Sequence, residues 1–332
     1  MDFEPGDDQR AILEAIEALL AQHAGPKRAI ELFAKGEYDH DLETALDEAG
    51  FTSVALGGET GPLEAALCVE AVARAAGAVS FGAAALVATG VAGRALPGPI
   101  AIVDAHGSAL VRFGASARTL LVADAARDQA RLVTLSRGDA EPVRSNFGYP
   151  IGRVTRALQQ GGDRIGTCER LLAWWRVALA AEASGTIRAA LGVTVEYLKQ
   201  RRQFGRAIAS FQAVQHRLAE CAVMAEGARW LAYEAASHGA PAEAAATAAS
   251  YAMATAARVF LETHQLSGAI GYTREHDLHV FSLRLEALRL ELGGVGGHRR
   301  ALARARWGGA GAGGTGAGAG GTGAGAGGTG AT

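Results

Sequence analysis

Cysteine is scarce in this sequence. Cys68, Cys168 and Cys221 are the whole complement. They are odd in number and far apart, so they form neither a metal-spacing pair nor a disulfide framework, and a reducing cytoplasm is the expected setting. Lysine is equally rare, at Lys27, Lys35 and Lys199, so the cations are nearly all arginine. Charge of one sign is lacking too. A formal net charge of −2 leaves no global field to draw nucleic acid or an anionic membrane. There is no uninterrupted apolar run of about 18 residues, so no membrane span is expected. The first residues, MDFEPGDDQR, are too acidic and polar for a signal peptide. No strand–GxGxxG–helix unit occurs, which excludes a Rossmann nucleotide site.

What is present is an ordinary globular balance, 49% hydrophobic and 20% charged, on a chain long enough for a large core in one or two domains. From Asp8 to about Leu96 the pattern is helical. DDQRAILEAIEALLAQHAG places Ile12, Ile16, Leu19 and Leu20 on one face, with acids in the first turn. DHDLETALDEAGF predicts a short amphipathic helix stopped by Gly50. GPLEAALCVEAVARAAGAVSF predicts another, with Pro62 near its start. The PGP at 97–99 ends this region. Short β-type runs follow at Ala101–Val103, Leu110–Phe113, Leu120–Val122 and Leu132–Leu135, punctuated by Gly and Asp. They predict a small β domain with few strands.

Long helices then return, over about Thr167–Gln200, Ser210–Ser237, from SHGAP to about Gln265, and Glu275–Arg304. Short connections between long amphipathic helices predict an antiparallel four-helix bundle. From Gly308 to Thr332 the chain holds only Gly, Ala and Thr, with GAGAGGT three times over. Such a segment has nothing large to bury against its ordering entropy and is expected to be disordered.

Two stretches carry chemistry. RRQFGRAIASFQAVQHRLAE (201–220) resembles the R-x-Q-F-G-x-x-I-x-x-F-Q-x-x-Q-H-x-L-A-[DE] segment of the acyl-CoA dehydrogenase family, with Ala207 where proline is frequent. QLSGAIGYTREHDLH (265–279) resembles that family's second signature, Q-x-x-G-G-x-G-Y-T-x-E, with Ala269 in place of a glycine. Taken singly, Arg201 reads as a surface ion-pair residue, Phe204 as core and Gly268 as a helix cap. The joint pattern points instead to a cofactor site. The resemblance implies a mainly α fold: an N-terminal helical domain (1–97), a reduced middle β domain (98–165), a C-terminal four-helix bundle (166–305) and a tail (306–332).

The resemblance further implies FAD, usually that of a neighbouring subunit, bound at its ADP half by these two stretches. Arg201 would neutralise pyrophosphate through its guanidinium fork, and Gln203 and Gln212 would supply hydrogen bonds. Phe204, Ile208 and Phe211 would form apolar walls. Gln265, Leu266, Gly268 and Ala269 would let backbone approach phosphate closely.

The chain departs from the family where catalysis is concerned. The reaction removes an α-proton from an acyl-CoA thioester, so a carboxylate base is needed. Counting along the two family positions for that glutamate leads to Leu292 and Trp175, with Arg176 retained beside the latter. Neither can act as a base. Glu291 is one residue away, about 100° round a helix. It and Glu182, like Glu169, read as solvated or ion-paired surface carboxylates, and the Trp174-Trp175 pair as bundle core. The family's T-E-P-x-x-G-S-D loop and K-x-[WF]-I-[TS] strand, which hold the flavin ring, are missing between 98 and 165.

This combination, with RLELGGVGGHRRALARAR near the end, resembles the base-lacking subunit of actinobacterial heterotetrameric (α2β2) acyl-CoA dehydrogenases, several of which act on steroid side-chain CoA thioesters. The implied partner is a second, catalytic subunit holding the acyl-CoA, so no residue of this chain is assigned as catalytic. Two other readings stand beside it: a self-sufficient dehydrogenase using Glu291 after a register shift, and a helical scaffold subunit. His276 and His279 lack further ligands at matching spacing, so no metal is expected. Arg201, Arg202 and Arg206 lack the basic stripe of a nucleic-acid surface.

Overall fold

Capping chemistry or a first-turn proline marks several helix starts. The structure, a computed structural model, describes residues 4–159 and 161–308. Helices α1 (Asp7–His23), α2 (Pro26–Lys35), α3 (His40–Glu48) and α4 (Pro62–Arg74) form the first layer. Pro26 and Pro62 occupy first-turn positions, where the missing N–H costs nothing. The Asp39 carboxylate accepts from the Leu42 backbone N–H at 3.1 Å and caps α3. The same carboxylate is held by Arg28. The apolar stripe of α1 buries Ile16 and Leu20, while α4 is buried from Ala65 to Ala73. A π-helical segment, Ala83–Ala88, and the short α5 (Thr89–Ala92) lead to the strands.

The middle region is richer in strands than the sequence pattern suggested. Strands β1 (Ile100–Asp104), β2 (Leu110–Arg112), β3 (Thr119–Asp124) and β4 (Gln129–Thr134) match the four apolar runs. Beyond them lie β5 (Glu141–Val143), β6 (Ile151–Arg153), the one-turn α6 (Thr155–Leu158) and β7 (Asp163–Gly166). These later strands are three or four residues long and hold little apolar character, so neither length nor alternation flags them. One sheet has the order β1-β3-β4-β7, parallel between β1 and β3 and antiparallel elsewhere. The other is β2-β6-β5, all antiparallel.

The bundle consists of α7 (Cys168–Gln200), the hairpin strands β8 (Arg202–Gln203) and β9 (Arg206–Ala207), α8 (Gln212–Ser237), α9 (Ala242–Ser267), α10 (Leu278–Leu290) and α11 (Gly294–Trp307). The Thr167 hydroxyl caps α7 by accepting from the Arg170 N–H at 3.2 Å. The single fourth helix expected over Glu275–Arg304 is two helices. The chain leaves helical geometry at Glu291, Leu292 has φ +52°, and Gly293 and Gly294 also have positive φ. Two consecutive glycines, with their high backbone entropy and no side chain to pack, release the helix there. One hydrophobic core runs through all layers, joining Ile16, Leu42 and Leu67 to Ile100, Leu179 and Leu285. Among the described residues no helix is long and apolar enough to cross a membrane. Apart from Gly308, the Gly/Ala/Thr tail lies outside the described residues.

Candidate functional site

Two places in the fold concentrate the residues of interest. The first is one end of the bundle. Helices α7 and α9 are parallel in an antiparallel bundle, so the α7–α8 and α9–α10 connections lie at the same end. The ring of Tyr197, near the end of α7, packs edge-on against His276, just before α10, with centroids 5.2 Å apart. That contact ties the two signature stretches together. His276 is thus a packing residue, and no cluster of three metal-ligating side chains exists among the described residues.

The first stretch is a two-residue hairpin. Phe204 (φ +52°) and Gly205 (φ +81°) both adopt positive φ, the geometry that matches the right-handed twist of paired strands. Glycine takes it without strain; a phenylalanine there is unusual. The turn holds the Phe204 side chain 89% exposed. Its ring is edge-on to that of Phe211, with centroids 6.1 Å apart, and Arg206 stacks its guanidinium 3.9 Å from the Phe211 ring centre. Arg201 terminates α7 by donating its backbone N–H to Tyr197. Its side chain is exposed, as are those of Gln203 and Gln212, while Ile208 is half-buried.

In the second stretch Gln265 and Ala269 are exposed and Leu266 is half-buried. Gly268 has φ +65° and ψ −146°, a region open to glycine alone, and nothing lies within 4 Å of where its Cβ would be. Behind this turn the ring of His264 sits between Phe260 (4.5 Å) and Tyr272 (4.7 Å). Both His264 ring nitrogens and the Ser267 hydroxyl are buried without a hydrogen-bond partner among the described residues. Burial lowers the His264 pKa.

These features fit the ADP half of FAD. An open backbone at Gly268, an exposed aromatic, exposed amides and an arginine free of carboxylate partners among the described residues are what a dinucleotide lying across this end would use. FAD supplies hydride-accepting flavin when bound.

The second place is a cavity of about 890 Å³ between the β region, α7 and the α10–α11 break. Trp175 and Leu292, at the two base positions, both line it. So do Glu182 and Glu291, which corrects the reading of those two as surface carboxylates. They are ion-paired, but inside the fold. The helical-rotation argument placed Glu291 elsewhere; it fails because Glu291 is already extended (φ −69°, ψ 148°). Arg112, from β2, reaches across the cavity. It contacts Glu182 Oε2 on α7 at 2.9 Å and donates from Nε to Glu291 Oε1. Trp175 Nε1 donates to Glu291 Oε2 at 2.7 Å. Trp175, expected as core packing, is therefore both buried and polar in role.

Electrostatics follow from burial. Desolvation alone would weaken the charge on Arg112, but Glu182 and Glu291 outweigh it and its pKa lies above the ordinary value. Burial raises that of Glu182, with Arg112 opposing. Tyr149 lies between two guanidiniums, Arg112 at 5.0 Å and Arg284 at 4.9 Å from its ring centre. The sequence offered one signal for Arg112, an arginine inside the apolar run Leu110–Phe113. It offered none for Tyr149 or Arg284, whose meeting is long-range.

The cavity can bind, but Glu291 in it is not poised to take a proton. Both oxygens of Glu291 are engaged, and Arg112 spans the space between β2, α7 and α10.

Comparison with known proteins accords with this geometry. Residues 165–306 match the family description "Acyl-CoA dehydrogenase, C-terminal domain". The chain is 31% identical over 295 residues to acyl-CoA dehydrogenase IpdE2 of Mycobacterium tuberculosis, covering 84% of this chain and 91% of that protein. Its fold is similar to that of a chain in the ChsE4-ChsE5 complex from Mycobacterium tuberculosis (TM-score 0.77, 23% identity, 92% of this chain and 98% of that one). It is equally similar to a chain of the Tcur3481-Tcur3483 steroid ACAD G363A variant (TM-score 0.77, 24% identity, 92% and 99%). With the fold, the two signature stretches and a relative matched along nearly its whole length, the chain belongs to the acyl-CoA dehydrogenase family, FAD-dependent oxidoreductases acting on CH–CH bonds.

Proposed function

We propose that this chain is the base-lacking subunit of a heteromeric, FAD-dependent acyl-CoA dehydrogenase of α2β2 type. It lends the ADP half-site of FAD to a partner that supplies the catalytic glutamate and the flavin-ring contacts. The observation that carries the proposal is the exposed Arg201–Phe211 turn. A phenylalanine held 89% in solvent by a positive-φ hairpin, beside an arginine with no carboxylate partner among the described residues, is costly for a lone chain and useful to a shared cofactor. Arg201 binds pyrophosphate, Gln203, Gln212 and Gln265 orient the dinucleotide, and Phe204, Ile208 and Phe211 exclude water from it. Leu266, Gly268 and Ala269 bring backbone close to phosphate.

The partner holds the acyl-CoA, and the acyl class implied is a steroid side chain. The solved steroid dehydrogenase of similar fold supports that class by analogy of architecture.

One observation favours a second reading, a self-sufficient enzyme: Glu291 does face the cavity. Its engagement by Arg112 and Trp175 weighs against it. Flavin absorbance of the chain purified alone and co-expressed with a catalytic partner separates the two. The proposal expects a colourless chain and a yellow complex. A chain that is yellow alone and bleached by acyl-CoA would make Glu291 the base. In the complex, Arg201→Ala is expected to lower flavin content at least about tenfold, the scale of losing a charge-assisted contact, with assembly intact. Unchanged flavin with intact assembly would leave only a scaffold.

A further inference from the structure

Helix α11 is weakly anchored along its length and firmly held at its root. Its residues Gly297, Arg300, Ala301 and Arg304 form one wall of the cavity, and the break before it supplies Glu291, Leu292 and Gly293. The one side chain of α11 that is buried among the described residues is His298. Neither of its ring nitrogens has a hydrogen-bond partner there, and a buried polar group left unpaired costs free energy. Near the far end Arg306 pairs with Glu243 on α9 at 3.4 Å, with both side chains exposed, a pairing worth little in water.

The backbone at the root opposes its own conformation. Leu292, Gly293 and Gly294 all have positive φ, and a leucine there is strained. No side chain caps the first turn of α11 among the described residues. Gly294, Gly296 and Gly297, at its start, lose more conformational freedom in a helix than any other residue type. Gly297 is also required, because a Cβ on it would lie 2.0 Å from the Leu292 carbonyl oxygen. Small residues at the end of an element are where a hinge absorbs its φ/ψ change. Against this stands Glu291. Its carboxylate accepts from Arg112 Nε on β2 and from Trp175 Nε1 on α7, the latter at 2.7 Å. Arg112 is itself fixed by Glu182 at 2.9 Å. All three charged side chains are largely buried, where the loss of one partner is felt most.

We propose that α11 is a hinged wall of the cavity, turning at 292–294 and latched shut by the Glu291 carboxylate on Arg112 and Trp175. When the latch releases, α11 swings away from α7 and opens the cavity along that side. None of these residues lies in the two signature stretches, so the device does not depend on the shared-flavin reading.

Amide hydrogen exchange on the full-length chain, parent and Glu291→Gln, tests the latch. The side-chain amide keeps the shape and an acceptor for Trp175 while removing the charge that holds Arg112. Exchange over Gly294–Trp307 is expected to quicken roughly tenfold, the scale of a hydrogen bond to a charged group, with α7, α8 and α9 unchanged. Unchanged protection of α11 would overturn the latch, and equal loss across α9 and α11 would overturn the hinge. A second measurement leaves Glu291 in place. In His298→Cys the new thiol is covered until α11 lifts, and the native Cys68, Cys168 and Cys221 are buried on α4, α7 and α8. Maleimide is expected to label position 298 ahead of the three native thiols, and about tenfold faster once Glu291→Gln is added. Labelling of all four together would show that α11 leaves only with global unfolding, and would sink the proposal.

Discussion

His298 on α11 is fully buried, and neither ring nitrogen has a hydrogen-bond partner among the described residues. Burial, assisted by the nearby Arg176 charge, pushes its pKa down to about 4 from an ordinary 6.5. The unfolded chain therefore binds more protons than the folded one between those values, and stability must rise with pH there. The contribution is fully present above the unfolded pKa and is lost as pH falls toward about 4. Its ceiling is about 3 kcal/mol, at roughly 1.4 kcal/mol for each tenfold change in proton affinity. Urea unfolding of His298→Phe against pH should show a flatter slope between about pH 4 and 6.5 than the parent; an unchanged slope would place the protonation elsewhere. At this scale the signature residues Arg201, Gln203, Phe204 and Gln265 were legible, because their pattern is contiguous. Arg112 and Glu291 were not. They are 179 positions apart, and nothing local announces that they meet.

Between elements, α4 and α7 approach closely. A Cβ on Gly185 would lie 2.1 Å from the Glu70 carbonyl oxygen and 2.9 Å from the Arg74 nitrogen. Both are backbone atoms, which cannot rotate away. Gly185→Ala must therefore push the helices apart, at a cost of about 3 kcal/mol, read as a lower urea midpoint with an unchanged slope. Gly192, on the same helix, meets nothing within 4 Å, and Gly192→Ala should stabilise by up to about 1 kcal/mol through helix propensity. A Gly185→Ala variant as stable as the parent would contradict this packing. The long bundle helices were legible from periodicity and the strands only in part, for the reason visible in β5, β6 and β7: three or four residues carry too few alternations to register. The α10–α11 break was missed because the apolar repeat continues through it, with Leu285, Leu288, Leu292 and Val295 at helical spacing masking the Gly293-Gly294 pair.

Across the whole molecule, one buried carboxylate ties the N-terminal layer to the bundle. Glu70 on α4, 3% exposed, accepts from Arg188 on α7 and from the Tyr233 hydroxyl on α8 at 2.5 Å, with Arg229 Nε at 3.4 Å. Glu70→Ala leaves two partly buried guanidiniums short of their partner, a loss of about 3 kcal/mol. Because the core is continuous from α1 to α10, unfolding should stay a single transition shifted to lower denaturant. Two separated transitions would show instead that Glu70 alone couples the layers.

The sequence by itself determined the order of layers, the bundle and the two signature stretches, since periodicity, turn chemistry and a contiguous motif are properties of neighbouring residues. The tertiary structure alone decided that Glu182 and Glu291 face a cavity and that Arg112 takes both. Those outcomes depend on which distant side chains the packing brings within a few ångströms, where burial makes each charge costly unless another answers it.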